Sequence, residues 1–162
     1  MILGDARLSL AGAPDRHYGL IILDAFSPDA IPSHLLTREA LRLYLRKLTD
    51  SGRLAFHISN NHLDLEPTVP HLAHDSHLVA LAQLDLRVTP DETRAGTLRS
   101  HCVMLAWRQE DLGTLTSDRR WHVLSPRPDK TLWTDDFSNT FDVIKWRQPS
   151  PPATGLDGVR AR

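Results

Sequence analysis

The chain has 162 residues, enough to bury one sizeable core, so a single domain is the default expectation. Hydrophobic residues at 41% and charged residues at 24% place it among ordinary globular chains rather than fibrous or disordered ones. Nineteen Lys+Arg against twenty Asp+Glu leave a net charge of -1, which gives no sign of a surface built for nucleic acid.

The first predicted element is the apolar run Leu20 to Leu23, which ends abruptly at Asp24 before a loop punctuated by Pro28 and Pro32. Such a run reads as a strand buried on both faces of a parallel sheet. Ligands of open α/β sheets bind outside the carboxyl ends of the strands, so Asp24 stands where such a fold places its chemistry. Capping of the following loop is the alternative use for this carboxylate. Thr37 then caps a helix from Arg38 to about Leu48, whose apolar positions Leu41, Tyr44, Leu45 and Leu48 keep the i, i+3, i+4, i+7 spacing. Gly52 offers a left-handed stop, and Arg53 to Ile58 reads as the second strand. A further helix begins at Asp64 or Leu65, with Pro67 and Pro70 in its first turn and Val69, Leu72 and Ala73 on its inner face. Strands follow near Leu81–Val88 and His101–Trp107.

This alternation predicts an α/β sheet with right-handed crossovers. Residues 109–145, with Trp121, Trp133, Phe137 and Phe141, suit a segment laid across the sheet edge. From Gln148 onward Pro, Ser, Gly and Arg dominate, so 148–162 is expected to be a disordered tail. Cys102 lies in an apolar run and reads as a buried thiol of a reducing compartment. No apolar segment is long enough to cross a bilayer and the start lacks a signal-peptide pattern, so a cytoplasmic location is expected.

Three segments carry a family resemblance: Gly4-Asp5-Ala6, then Tyr18 to Pro32, then Phe56-His57-Ile58-Ser59-Asn60. Together they resemble the C-terminal half of spermidine synthase-like proteins, over roughly residues 4–146. The bacterial subgroup often fused to a membrane-embedded N-terminal half is the best match, and there segments like Asp24-Ala25-Phe26-Ser27, His57-Ile58-Ser59-Asn60 and Trp133-Thr134-Asp135-Asp136 recur in this order. The resemblance implies an S-adenosylmethionine-dependent methyltransferase-type Rossmann-like domain over residues 1–147. It also implies aminopropyl transfer from decarboxylated S-adenosylmethionine to a small amine, a diamine by expectation, with no metal. A fused membrane half in longer relatives would make the protein membrane-associated. By the same resemblance Asp24 aligns with the catalytic aspartate, and Asp5, with Ala6 beside it, with the acidic contact to the donor's adenine.

The chemistry explains a carboxylate at position 24. A primary amine with a pKa of about 10 is unprotonated in only about one molecule per thousand at neutral pH, a deficit of roughly 4 kcal/mol. A carboxylate facing it orients the amine and accepts its proton. Two acceptor positions depart from the classical pattern. Ser27 stands where a second aspartate is usual, with Asp29 the next acid, and His57 replaces a glutamine. Ser27, Asp29 and His57 are therefore the candidate acceptor contacts, and the acceptor need not be putrescine.

Other features widen the choice. Only 17 residues precede Tyr18, and the eight glycines form no Gly-x-Gly-x-x-Gly, so the chain reads as a domain lacking its N-terminal half. In that case Gly19–Leu23 is an unprotected sheet edge, and self-association and weak donor binding are expected. His71, His74 and His77 recur every third residue, but positions i and i+6 diverge by about 120° on a helix, which favours a solvated face over a metal site. His57 stays open between a hydrogen-bonded structural role and substrate contact. Asp24-Ala25-Phe26-Ser27-Pro28 also resembles the catalytic loop of S-adenosylmethionine-dependent methyltransferases acting on tRNA wobble uridines, and a non-catalytic fragment or partner module is the third reading.

Overall fold

The computed structural model describes residues 3–25, 32–60, 63–85, 89, 91, 94 and 99–144. The tail expected over 148–162 and the loop positions Ser27 and Asp29 lie outside these residues.

A five-stranded sheet has the order β1-β2-β4-β3-β5, with β1 Tyr18–Leu23, β2 Leu48–His57, β3 Val79–Asp85, β4 Ser100–Ala106 and β5 Trp121–Val123. β1 and β2 are parallel, and the other pairings are antiparallel. With β4 antiparallel to both β2 and β3, those two strands share one direction. This is a mixed α/β sheet with flanking helices, the class that the strand–helix alternation implied.

Helix α2, Arg38–Lys47, joins β1 to β2. Thr37 caps it by accepting the Ala40 N–H at 3.2 Å, and Leu41 and Tyr44 are buried on its inner face. The helix ends within one residue of the expected Leu48, but Gly52 is not the left-handed stop expected after it. The helix stops at Lys47, β2 starts at once, and Gly52 lies within the strand. A Cβ there would stand 2.8 Å from the Leu48 Cβ and 2.9 Å from the Thr49 carbonyl oxygen. The β1–β2 register is irregular between its Tyr18↔Leu48 and Leu20↔Arg53 pairs, and glycine permits the close turn this requires. A 3₁₀ turn, Glu66–Thr68, leads into α3, Val69–Asp75, with Val69, Leu72 and Ala73 buried as expected. His71 and His74 lie on α3, and His77 follows it with a positive φ of 55°.

The main core occupies one sheet face. Ile21, Leu23, Leu54, Phe56, Val103, Leu105, Ala80 and Ala82 alternate inward and pack with Leu41, Tyr44, Val69 and Leu72 from the helices. On the other face a 3₁₀ segment, Gln109–Ser117, covers β3 and β4 through Leu112, which packs with Leu81 and Ala106. The β1 half of that face stays open: Leu20 is 47% exposed and Ile22 63%. The expectation of two-sided burial for β1 is therefore corrected, because the covering segment stops short of this edge strand. Residues 109–144 do border the sheet, and β5 extends it by pairing with β3.

A short helix the sequence reading did not anticipate, α1 Ala6–Ala11, precedes β1. The connection between them is fastened to the end of α2. Buried Lys47 donates from Nζ to the carbonyls of Ala11 (3.1 Å) and Ala13 (2.7 Å) and to Asp15 Oδ1 (2.6 Å). The Arg16 and His17 N–H groups donate to the Arg46 and Lys47 carbonyls, and Arg16 pairs with Asp50.

Candidate functional site

Parallel pairing brings two of the expected site residues together. Leu23 and Phe56 are partners in register, so Asp24 and His57, one position further on, emerge side by side at the carboxyl ends of β1 and β2. His57 Nδ1 lies 2.6 Å from Asp24 Oδ1. The Asp24 side chain is 70% exposed and that of His57 36%, so the pair opens to solvent. The alternative of loop capping by Asp24 concerns residues 26–31, outside the described residues.

Ser59, which sequence reasoning passed over as a site residue, completes the group. Its Oγ stands 2.8 Å from His57 Nε2 and accepts the backbone N–H of His101 at 2.7 Å. Ile58 N–H donates to the His101 carbonyl, so the serine oxygen continues the strand pairing by one rung where β2 itself has ended. Cys102 faces His57 in the antiparallel register. It is half-buried rather than fully enclosed as expected, and burial, with help from the Asp24 charge, pushes its thiol pKa up. Behind it, His101 Nε2 meets Glu66 Oε2 at 2.7 Å, and this contact holds the Glu66 carboxyl below its usual pKa.

Asp5 and Ala6 stand apart from this pair. Asp5 is the N-cap of α1, where its Oδ1 accepts the N–H groups of Arg7 (2.8 Å) and Leu8 (3.0 Å). The Leu8 N–H leads in lowering its pKa, and His34 Nε2 lies 3.3 Å from Oδ2. Arg7 Nη1 donates to the His34 carbonyl at 3.1 Å, so the start of α1 lies against the segment that leads into α2.

The Trp133-Thr134-Asp135-Asp136 segment fastens the same corner. Trp133 is 2% exposed and its carbonyl accepts the Arg38 N–H. Asp135 takes a two-pronged bond from Arg7 at 2.8 and 2.6 Å, accepts Thr37 Oγ1–H at 2.7 Å, and donates its own N–H to Glu39 Oε2. The Arg7 guanidinium, first among these contacts, holds the Asp135 carboxyl below the usual carboxylate range. Among the described residues, no three His, Cys, Asp or Glu side chains are grouped to hold a metal ion. No helix among them is long and apolar enough to cross a membrane.

No family model matches the chain. A polyamine aminopropyltransferase of Vibrio vulnificus (strain CMCP6) is 45% identical over 53 residues, 32% of this chain and 18% of the relative. This chain is distantly related in sequence to a polyamine aminopropyltransferase. The match spans less than a fifth of that relative's length. Among solved structures, a probable spermidine synthase from Corynebacterium glutamicum ATCC 13032 aligns with a TM-score of 0.45 at 16% identity, covering 65% of this chain and 36% of that one. MNMC2 from Aquifex aeolicus aligns with a TM-score of 0.42 at 17% identity, covering 71% and 34%.

Proposed function

We propose that this chain supplies the acceptor side of a transferase centre that joins an amine to an alkyl group carried by a sulfonium nucleoside, most simply an aminopropyl group. The observation that carries this reading is the solvent-facing Asp24 carboxylate held at 2.6 Å by His57 on the carboxyl edge of the sheet. The amine nitrogen attacks the carbon bonded to the sulfonium, the C–S bond breaks with its electron pair going to sulfur, and the nitrogen's proton passes to Asp24. The donor would be decarboxylated S-adenosylmethionine, and Asp5 and Ala6 would meet its adenine. Ser27 and Asp29, with His57, would shape the acceptor pocket for a diamine. The 45% identity with an aminopropyltransferase over 53 residues favours this class over the other two.

Calorimetric titration of the chain with a diamine, S-adenosylmethionine and its decarboxylated form tests the reading, with product masses separating aminopropyl from methyl transfer. Diamine binding is expected, weakened several-fold in Asp24→Asn. Where donor and amine are both bound, that variant should lose roughly two to four powers of ten in turnover, the range for a positioned base. Binding and turnover indifferent to Asp24→Asn would return the carboxylate to a structural role. A chain that binds neither donor nor amine would be the non-catalytic module.

A further inference from the structure

We infer that Ser59 is a positioning residue that fixes the proton of His57 on Nδ1 and so aims an N–H at Asp24, an inference that rests on the amine-transfer reading above. A serine hydroxyl has one proton and two lone pairs. The His101 N–H, 2.7 Å away, occupies one lone pair of Ser59 Oγ. In the neutral ring the hydroxyl proton has an acceptor in His57 Nε2 at 2.8 Å, and the ring's own proton then stands on Nδ1, 2.6 Å from the Asp24 carboxylate.

The tautomer of a histidine is set by the bond its other nitrogen makes. Here both nitrogens ask for the same form, because a carboxylate only accepts and the hydroxyl is free to donate. Donation runs in one direction, from the His101 N–H through Ser59 and His57 to Asp24, an arrangement in which each bond polarises the next. The consequence for chemistry is a division of labour. With Nδ1 already protonated, His57 orients the carboxylate but does not take a proton from it, so the proton leaving the amine rests on Asp24. Cys102 is the further titratable group facing His57, and its raised pKa keeps it a neutral thiol beside the pair.

A Ser–His–Asp series is also the layout of nucleophilic hydrolases. In this chain the serine oxygen is committed to a strand-pairing N–H, which gives it a holding role rather than an attacking one. The test uses the full chain labelled with ¹⁵N-histidine and two-bond ¹H–¹⁵N correlation spectra, with His57→Gln assigning the ring signals. The wild type is expected as the Nδ1–H tautomer. In Asp24→Ala, Ser59 alone should keep that form. Adding Ser59→Ala should exchange the two nitrogen signals to the Nε2–H form, and Ser59→Thr in the same background should retain Nδ1–H. An Nε2–H ring in the wild type or in Asp24→Ala would overturn the inference, as would covalent capture of Ser59 by a fluorophosphonate. No donor or turnover enters the readout, so loss of amine transfer with these spectra intact would fell the functional reading alone.

Discussion

Asp24 and Asp135 lie in two segments of the same family resemblance, yet the structure uses them in opposite ways. Asp135 is committed to its own chain: both oxygens are engaged by Arg7, one also by Thr37, and the neighbouring Trp133 is sunk in the core. Asp24 meets His57 through Oδ1 and keeps a 70% exposed side chain. A recurring aspartate can therefore mark a clamp as readily as a reactive group, and what separates the two is how much of the carboxylate remains available to a ligand.

The largest effect should come from the clamp's anchor. Trp133→Ala removes a fully buried ring and is expected to cost about 3–5 kcal/mol in denaturant unfolding. Asp135→Ala should cost about 1 kcal/mol, at the low end for a charged hydrogen-bond group because the Asp135 side chain is 41% exposed and screened. Asp24→Asn should change stability by less than about 0.5 kcal/mol while its effect falls on amine binding. Equal destabilisation by Asp24→Asn and Asp135→Ala would erase the distinction between the two sites. The smallest signal is in pH. The folded pKa of Asp135 lies below its ordinary 3.8, so its contribution is fully present above about pH 5 and fades as pH falls through the lowered value. The stability gap between wild type and Asp135→Asn should accordingly be flat near neutrality and narrow on acidification, as followed by thermal unfolding at several pH values.

What could be read from sequence was what depends on near neighbours or on simple alternation. The Thr37 cap and the Leu41–Tyr44 face of α2 follow from local spacing, and the meeting of Asp24 with His57 follows from two parallel strands ending at one edge. Features set by distant partners were hidden. Ser59 looks like an ordinary post-strand serine until His101, 42 positions later, donates to it. Asp135 finds Arg7 across 128 positions, which no periodicity announces. Gly52 was misread because a glycine after a helix usually ends it, whereas here it accommodates an irregular strand register. The six-residue α1 and three-residue β5 are too short to show a period and owe their form to packing and pairing with elements elsewhere. Exposure of Leu20 and Ile22 depended on how far a later segment reaches over the sheet.

The Lys47 fastening sits at the opposite ends of the same two strands that carry Asp24 and His57. It ties the approach to β1 onto the end of α2, and the β1–β2 ladder beyond it holds the register of the two strands. Sliding by a single residue would shift a side chain about 3.3 Å along the strand and reverse its face. A hydrogen bond of 2.6 Å at the far end does not survive such a shift. The ammonium thus fastens the entry to β1 on the near side of the irregular register, while the unbroken pairing from Leu20↔Arg53 to Leu23↔Phe56 carries the alignment on to the Asp24–His57 pair.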